Sequence, residues 1–173
     1  MRTALLLVVR LVMSFVRAPQ RRRPSILPAS STHSYFASTW SLLKRVDYAR
    51  GGDRGTWRGS ATFEDRQDRL RLVETGAFFF DRHPEKPVNM AAKALIFDFE
   101  RGTVFFDDDP PALFYTFDPS KLRSQGGATF SHPCGHDTYR GTMRIDDKDH
   151  FSIRWTVSGP RKHGTIHHHY TRT

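Results

Sequence analysis

From Thr39 to the C-terminus, apolar and polar residues alternate in short runs, and clusters of Gly, Pro and Asp interrupt the alternation every eight to twelve residues. Period-two alternation is the signature of strands with one buried face, because successive side chains of a strand point to opposite sides. The pattern predicts ten strands, at about 39–48, 55–64, 69–76, 90–99, 103–107, 113–118, 127–132, 138–145, 151–157 and 165–172. The breaks between them carry turn chemistry, such as Arg50-Gly51-Gly52-Asp53, Glu100-Arg101-Gly102 and Gly159-Pro160. Parity assigns Phe151, Ile153, Trp155 and Val157 to one face, Trp57, Ala61 and Phe63 to another, and Leu95, Phe97 and Phe99 to a third. Helical periodicity is nearly absent. Ten consecutive strands joined by tight turns predict an all-β fold, a single antiparallel up-and-down barrel, because closure removes exposed edges. A sandwich is the alternative.

A chain of 173 residues accommodates one such domain. The formal charge of +9 suggests a nucleic-acid binder until it is located. No Asp or Glu precedes Asp47, and six arginines lie within residues 1–37; without them 21 basic residues face 18 acidic ones, leaving the body at about +3. The expectation is therefore no nucleic-acid partner. Arg2, Arg10 and Arg17 alternate with apolar residues and fall within roughly 80° of one another on a helix, forming a basic stripe beside an apolar surface. That pattern predicts a cleavable mitochondrial targeting leader over 1–37, ending in a disordered Ser/Pro-rich linker, with the barrel domain at 38–173. A secretory signal is the alternative. Arg10 and Arg17 interrupt the apolar run short of the ~20 residues a membrane span needs, so no stable span is expected. The single Cys134 excludes an intramolecular disulfide.

Several elements, in order, resemble an uncharacterised family of small lipocalin-like (calycin-type) barrels: Thr39-Trp40-Ser41-Leu42-Leu43-Lys44-Arg45, Gly59 to Phe63, Glu74-Thr75-Gly76, His132-x-Cys134-x-x-Asp137-x-Tyr139 and Trp155-x-Val157-x-Gly159-Pro160-Arg161-Lys162. The resemblance covers residues 38–172 and implies a closed antiparallel barrel with a central cavity. It carries no activity to transfer. Trp40 also resembles the lipocalin barrel-floor tryptophan, which packs against a basic side chain of the last strand; here Arg172 would be that partner.

The candidate chemistry concentrates near the C-terminus. Asp137 and Tyr139 share a strand face, and a buried carboxylate needs a partner, for which Arg161, Lys162 and His132 are the available donors. The other reading of this group is a structural ion pair closing one barrel end. His132 and Cys134 share parity, which admits an activated thiol or simply a buried thiol beside a satisfied histidine; Cys134 with His132 or His136 falls short of the three or four ligands of a zinc site, in a spacing that fits no common template, so no metal is expected there. In His167-His168-His169, only one parity set faces inward; with Ile166 inside, His168 becomes a weak metal or haem-ligand candidate. Otherwise no cofactor is required. Glu74 and Lys93 are internal charges that a strand pairing could bring together, and Trp155 belongs to the cavity wall.

The function these features suggest is a barrel binding an amphipathic or anionic small molecule. Alternatives are an isomerase, cyclase or lyase using Asp137 or His132 as acid/base, and a structural subunit of a mitochondrial assembly with a filled interior. Ligand identity and oligomeric state are not legible in the pattern.

Overall fold

The computed structural model describes residues 31–173, so most of the segment predicted as a targeting leader, residues 1–30, lies outside the described residues. Ten strands form one antiparallel sheet: β1 (Thr39–Arg50), β2 (Arg54–Arg66), β3 (Arg69–Phe80), β4 (Pro87–Asp98), β5 (Thr103–Phe106), β6 (Leu113–Thr116), β7 (Gly127–Cys134), β8 (Asp137–Ile145), β9 (His150–Ser158) and β10 (His163–Arg172). Their spatial order is β6-β5-β4-β3-β2-β1-β10-β9-β8-β7. The first and last strands thus pair, Trp40 opposite Arg172, and the wall is a nearly closed up-and-down barrel with its seam between β6 and β7.

The inward stripes follow the alternation. Phe151, Ile153, Trp155 and Val157 are all buried, as are Trp57, Ala61 and Phe63 on β2 and Leu95, Phe97 and Phe99 at the end of β4 and beyond it. At the lower end the core is aromatic. Phe151 stacks on Tyr170 at 4.0 Å, and Trp40 meets Phe151 edge-on at 4.7 Å. The Arg172 guanidinium lies 4.2 Å from the Trp40 ring centroid, the packing the lipocalin resemblance implies and a contact worth ~0.5–2 kcal/mol.

Two helices lie outside the alternation. Helix α1 (Ser31–Phe36) closes the lower end; Phe36 is fully buried, and Tyr35 nearly so. The ordered structure therefore reaches back past Ser38, the position where hydropathy predicts it to begin. Helix α2 (Pro119–Gln125) spans the seam from β6 to β7. Asp118 caps its first turn by accepting from the Ser120 and Lys121 amides, Pro119 starts it, and Gly126, at φ 67°, ends it in the left-handed region that glycine favours. Among the described residues no helix is long and apolar enough to cross a membrane.

Candidate functional site

Above the aromatic floor, inward positions of four strands, β4 and β3 on one side of β2 and β1 and β10 on the other, are polar. Lys44 follows Trp40 and Leu42 on the inner face of β1, Glu74 follows Leu70 and Leu72 on β3, Lys93 lies opposite Glu74 on β4, and His168 lies opposite Lys44 on β10. The Glu74 carboxylate is buried and takes two partners: Lys44 Nζ at 2.5 Å from Oε2, and the Tyr170 hydroxyl, which donates to Oε1 at 2.8 Å. The Tyr170 oxygen also lies 3.2 Å from His168 Nδ1. Since the single Tyr170 proton goes to the carboxylate, Nδ1 of His168 is the donor of that contact, which sets the neutral ring's tautomer. A continuous chain runs from His168 through Tyr170 to Glu74 and Lys44.

Lys93 stands apart from this chain. Among the described residues it makes no ion pair or hydrogen bond; the residue as a whole is exposed, while its ammonium rests 4.8 Å from the Phe114 ring centroid. Loss of hydration lowers its pKa, the Glu74 charge opposing and Lys44 reinforcing the shift. Burial raises the Tyr170 hydroxyl well above its usual value, aided by Glu74, and raises Tyr115 for the same reasons. With Lys44 engaged by Glu74, the cluster holds two ammonium groups and one carboxylate. Its interior carries an unbalanced positive charge.

Glu74, Lys93, His168 and Tyr170 line a space of about 20 Å³ together with Phe114, Tyr115 and Trp155. That is room for about one water, and His168 is hydrogen-bonded beside it to Tyr170. Above it the barrel opens into a mouth of half-buried apolar groups, including Phe78, Phe106, Phe114, Tyr139 and Ile166. Lys44 itself lies 4.5 Å from the Trp57 ring centroid below that rim.

The sequence-predicted residues divide between this cluster and the rim. Glu74, Lys93, His168 and Trp155 line the central space. Glu74 binds Lys44 rather than Lys93, although register sets Glu74 opposite Lys93. Asp137 is buried at the upper end of β8, where Oδ1 accepts from the backbone amides of Arg161 and Lys162 at 3.2 and 3.3 Å. It holds the β9–β10 turn through amides, not through an ion pair with either cation, and the Arg161 side chain is exposed. The glycine of the Gly159-Pro160-Arg161-Lys162 motif has its reason here: a Cβ at Gly159 would lie 2.1 Å from Asp137 Oδ1. His132 Nδ1 contacts the Phe114 carbonyl at 2.8 Å, and its ring packs 4.6 Å from Phe114. This links β7 to β6 across the seam. Tyr139 packs 6.4 Å from both the His132 and Trp155 rings and is hydrogen-bonded to Tyr48, whose pKa burial raises first and Tyr139 second. Cys134 is exposed and free. Among the described residues no group of three or more His, Cys, Asp or Glu could hold a metal.

Two members of the central chain, Lys44 and Tyr170, are absent from the candidates read in the sequence. Their signal is parity alone: Lys44 is two residues beyond Leu42, and Tyr170 two beyond His168.

A family of unknown function, DUF6314, matches residues 36–172 of the sequence. The chain belongs to this family. No curated protein matches it. Among solved structures, the S-type phycobiliprotein lyase CPES from Guillardia theta superposes with a TM-score of 0.57 at 12% identity, covering 90% of this chain and 98% of the lyase. A protein of unknown function from the DUF3598 family of Nostoc punctiforme gives a TM-score of 0.49 at 10% identity, over 91% of this chain and 53% of that one. A redesigned β-barrel, mFAP1, bound to DFHBI gives 0.41 at 15% identity, over 81% and 97%. At such identities, the likeness of this DUF6314 member to the lyase is one of fold.

The pKa of His168 is held well below its ordinary 6.5, first by burial and then by the Lys44 and Lys93 charges. The unfolded ring takes up a proton below about pH 6.5 while the folded ring stays neutral. Its contribution to stability is therefore complete above that pH and is lost as pH falls, by about 1.4 kcal/mol per unit. Half-buried His33 beside Asp65 and exposed His150 beside Asp147 are present in both proteins, so the variant comparison isolates His168. In urea titrations at pH 7 and pH 5, wild type should lose more stability than His168→Gln. Equal losses would place His168 in contact with solvent.

Proposed function

We propose that this DUF6314 barrel binds an amphipathic small molecule through an anionic group. The observation that carries this reading is the Lys93 ammonium, inside an aromatic wall, with no carboxylate of its own while Glu74 is taken by Lys44. A desolvated cation without a partner is costly, and an incoming carboxylate removes that cost. The space beside it holds about one water, whose place a carboxylate oxygen would take at the ammonium, and the half-buried apolar groups nearby offer a surface for the ligand's body. Lys93 is an exposed residue, so moving its side chain widens the entrance without unpacking the core.

Calorimetric titration with 3-phenylpropionate and with its neutral counterpart, 3-phenylpropanol, tests the reading. The carboxylate should bind at least tenfold more tightly to wild type. Lys93→Met should bring the two compounds to within about twofold of each other, a difference of roughly 1.4 kcal/mol lost with the charge. Equal affinity of wild type for acid and alcohol would contradict it.

A further inference from the structure

The fold sorts charge on its outer surface in a way the average over the chain conceals. On the β1–β5 half, outward arginines are paired: Arg45 with Asp81, Arg54 with Asp47, Arg66 with Glu64, Arg71 with Asp107, and Arg101 with Asp98. Arg58 lies over the Phe79 ring instead, and Arg50, at the end of β1, donates to the Gly159 carbonyl. On the β7–β10 half, the outward positions within the strands carry Arg140, Arg144 and Arg154, histidines, and a field of Ser and Thr, with no Asp or Glu. Arg140 and Arg154 make no ion pair among the described residues, and Arg144 only reaches Asp146 in the adjoining turn at 3.9 Å.

Register makes these cations a cluster. Arg154 lies opposite Thr142, with Arg140 and Arg144 two residues to either side on β8, and His167 is its partner on β10. Diagonal neighbours in a sheet are ~7–8 Å apart. Two shallow grooves meet at Thr142 and Arg154: one of about 520 Å³ toward Arg140, Ser131 and Thr129, and one of about 310 Å³ toward Arg144, His167 and His169. The His167 and His169 rings are 6.3 Å apart. His167 titrates below its ordinary range because of burial, then Arg154, then His169, so the guanidinium field extends across β10.

We propose that this face binds the sugar-phosphate backbone of single-stranded nucleic acid. The cations over β8 and β9 are arginines, whose planar fork matches phosphate oxygens bidentately, and hydroxyls surround them as additional phosphate donors. A barrel exterior is convex, so a flexible single strand can wrap it, whereas a duplex would touch few phosphates and its groove, ~12 Å wide, admits a helix or a two-stranded ribbon rather than a barrel wall. A membrane surface would call for apolar side chains to insert; among the described residues no exposed large hydrophobic residue lies on β7–β10, and Leu43 on β1 and Leu113 on β6 stand only at the two borders of the face. With no Phe, Tyr or Trp pointing outward from β7–β10, recognition rests on the backbone and is independent of base sequence.

Fluorescence anisotropy of a labelled (dT)20 oligonucleotide with the full chain tests this. Arg140→Gln/Arg154→Gln removes two phosphate contacts and should weaken binding about tenfold at 50 mM salt, reducing the slope of log K against log salt by ~1.4. Arg54→Gln/Arg71→Gln removes the same charge from the paired half and should stay within about twofold of wild type. Circular dichroism melts verify that both variants fold. Equal losses in the two variants would overturn the proposal by reducing the effect to net charge. So would tighter binding to phosphatidylserine vesicles, or to polyglutamate, than to the oligonucleotide.

Discussion

Glu74→Ala should cost about 3 kcal/mol or more of unfolding free energy, the scale on which removing one partner of a buried ion pair destabilises a protein. The carboxylate is 3% exposed and its partner Lys44 14% exposed, so the variant strands an ammonium that water reaches poorly. It also deprives the buried Tyr170 hydroxyl of its acceptor. Glu74→Gln keeps an acceptor for Tyr170 and loses only the charge, so its cost should be intermediate. The double variant Lys44→Met/Glu74→Leu removes both charges and should recover most of the loss, because a buried pair seldom outperforms an apolar pair of similar volume. Urea unfolding at pH 7 reads all three. A loss below about 1 kcal/mol in Glu74→Ala would mean that the cluster is hydrated.

Phe36→Ala should be comparably severe, at about 3–5 kcal/mol. The ring is fully buried, stacked on Phe99 at 4.3 Å and edge-on to Phe151 at 5.0 Å, and the Phe36 carbonyl accepts the Trp40 indole at 3.2 Å. For a domain of this size the loss corresponds to a fall in melting temperature of roughly 10 °C. A chain starting at Ser38 lacks the ring and should melt with the variant, while one starting at Ser31 should melt with the full chain. Identical melting of all of these would remove α1 from the core.

The two predictions also mark where sequence patterning carries and where it stops. Strand positions were legible because each wall segment buries one face, and period-two alternation records that directly, as in Phe151 to Val157. Helix α1 was not, since Ser31-Thr32-His33-Ser34 has the polar composition of a linker and only Tyr35 and Phe36 carry an apolar signal. Helix α2 left a readable trace, Asp118-Pro119 at its start and Gly126 after it, which a search weighted toward strand alternation passes over. At the site, parity assigns a side chain to the inner face but not to a height along the barrel axis. Asp137 is read from parity as a partner of the Arg161 and Lys162 side chains, yet its Oδ1 accepts from their backbone amides instead. Glu74 and Lys93 were recognised as internal charges, while Lys44 escaped because a lysine near the middle of a strand reads as solvated until its neighbours Trp57 and Glu74 are known. The outer arginines were hidden differently: a body charge of about +3 is an average, and only register reveals which half keeps its acids.

The proposal that an anion enters the barrel at Lys93 is most directly tested by NMR of the full chain carrying lysine labelled with ¹³C at the ε-carbon, titrated with 3-phenylpropionate. The Lys93 resonance, identified by its loss in Lys93→Met, should shift and saturate, with a smaller saturable change at Lys44 and none at the exposed Lys121 and Lys148. Uniform small shifts at every lysine, or a Lys93 signal that does not move, would contradict it.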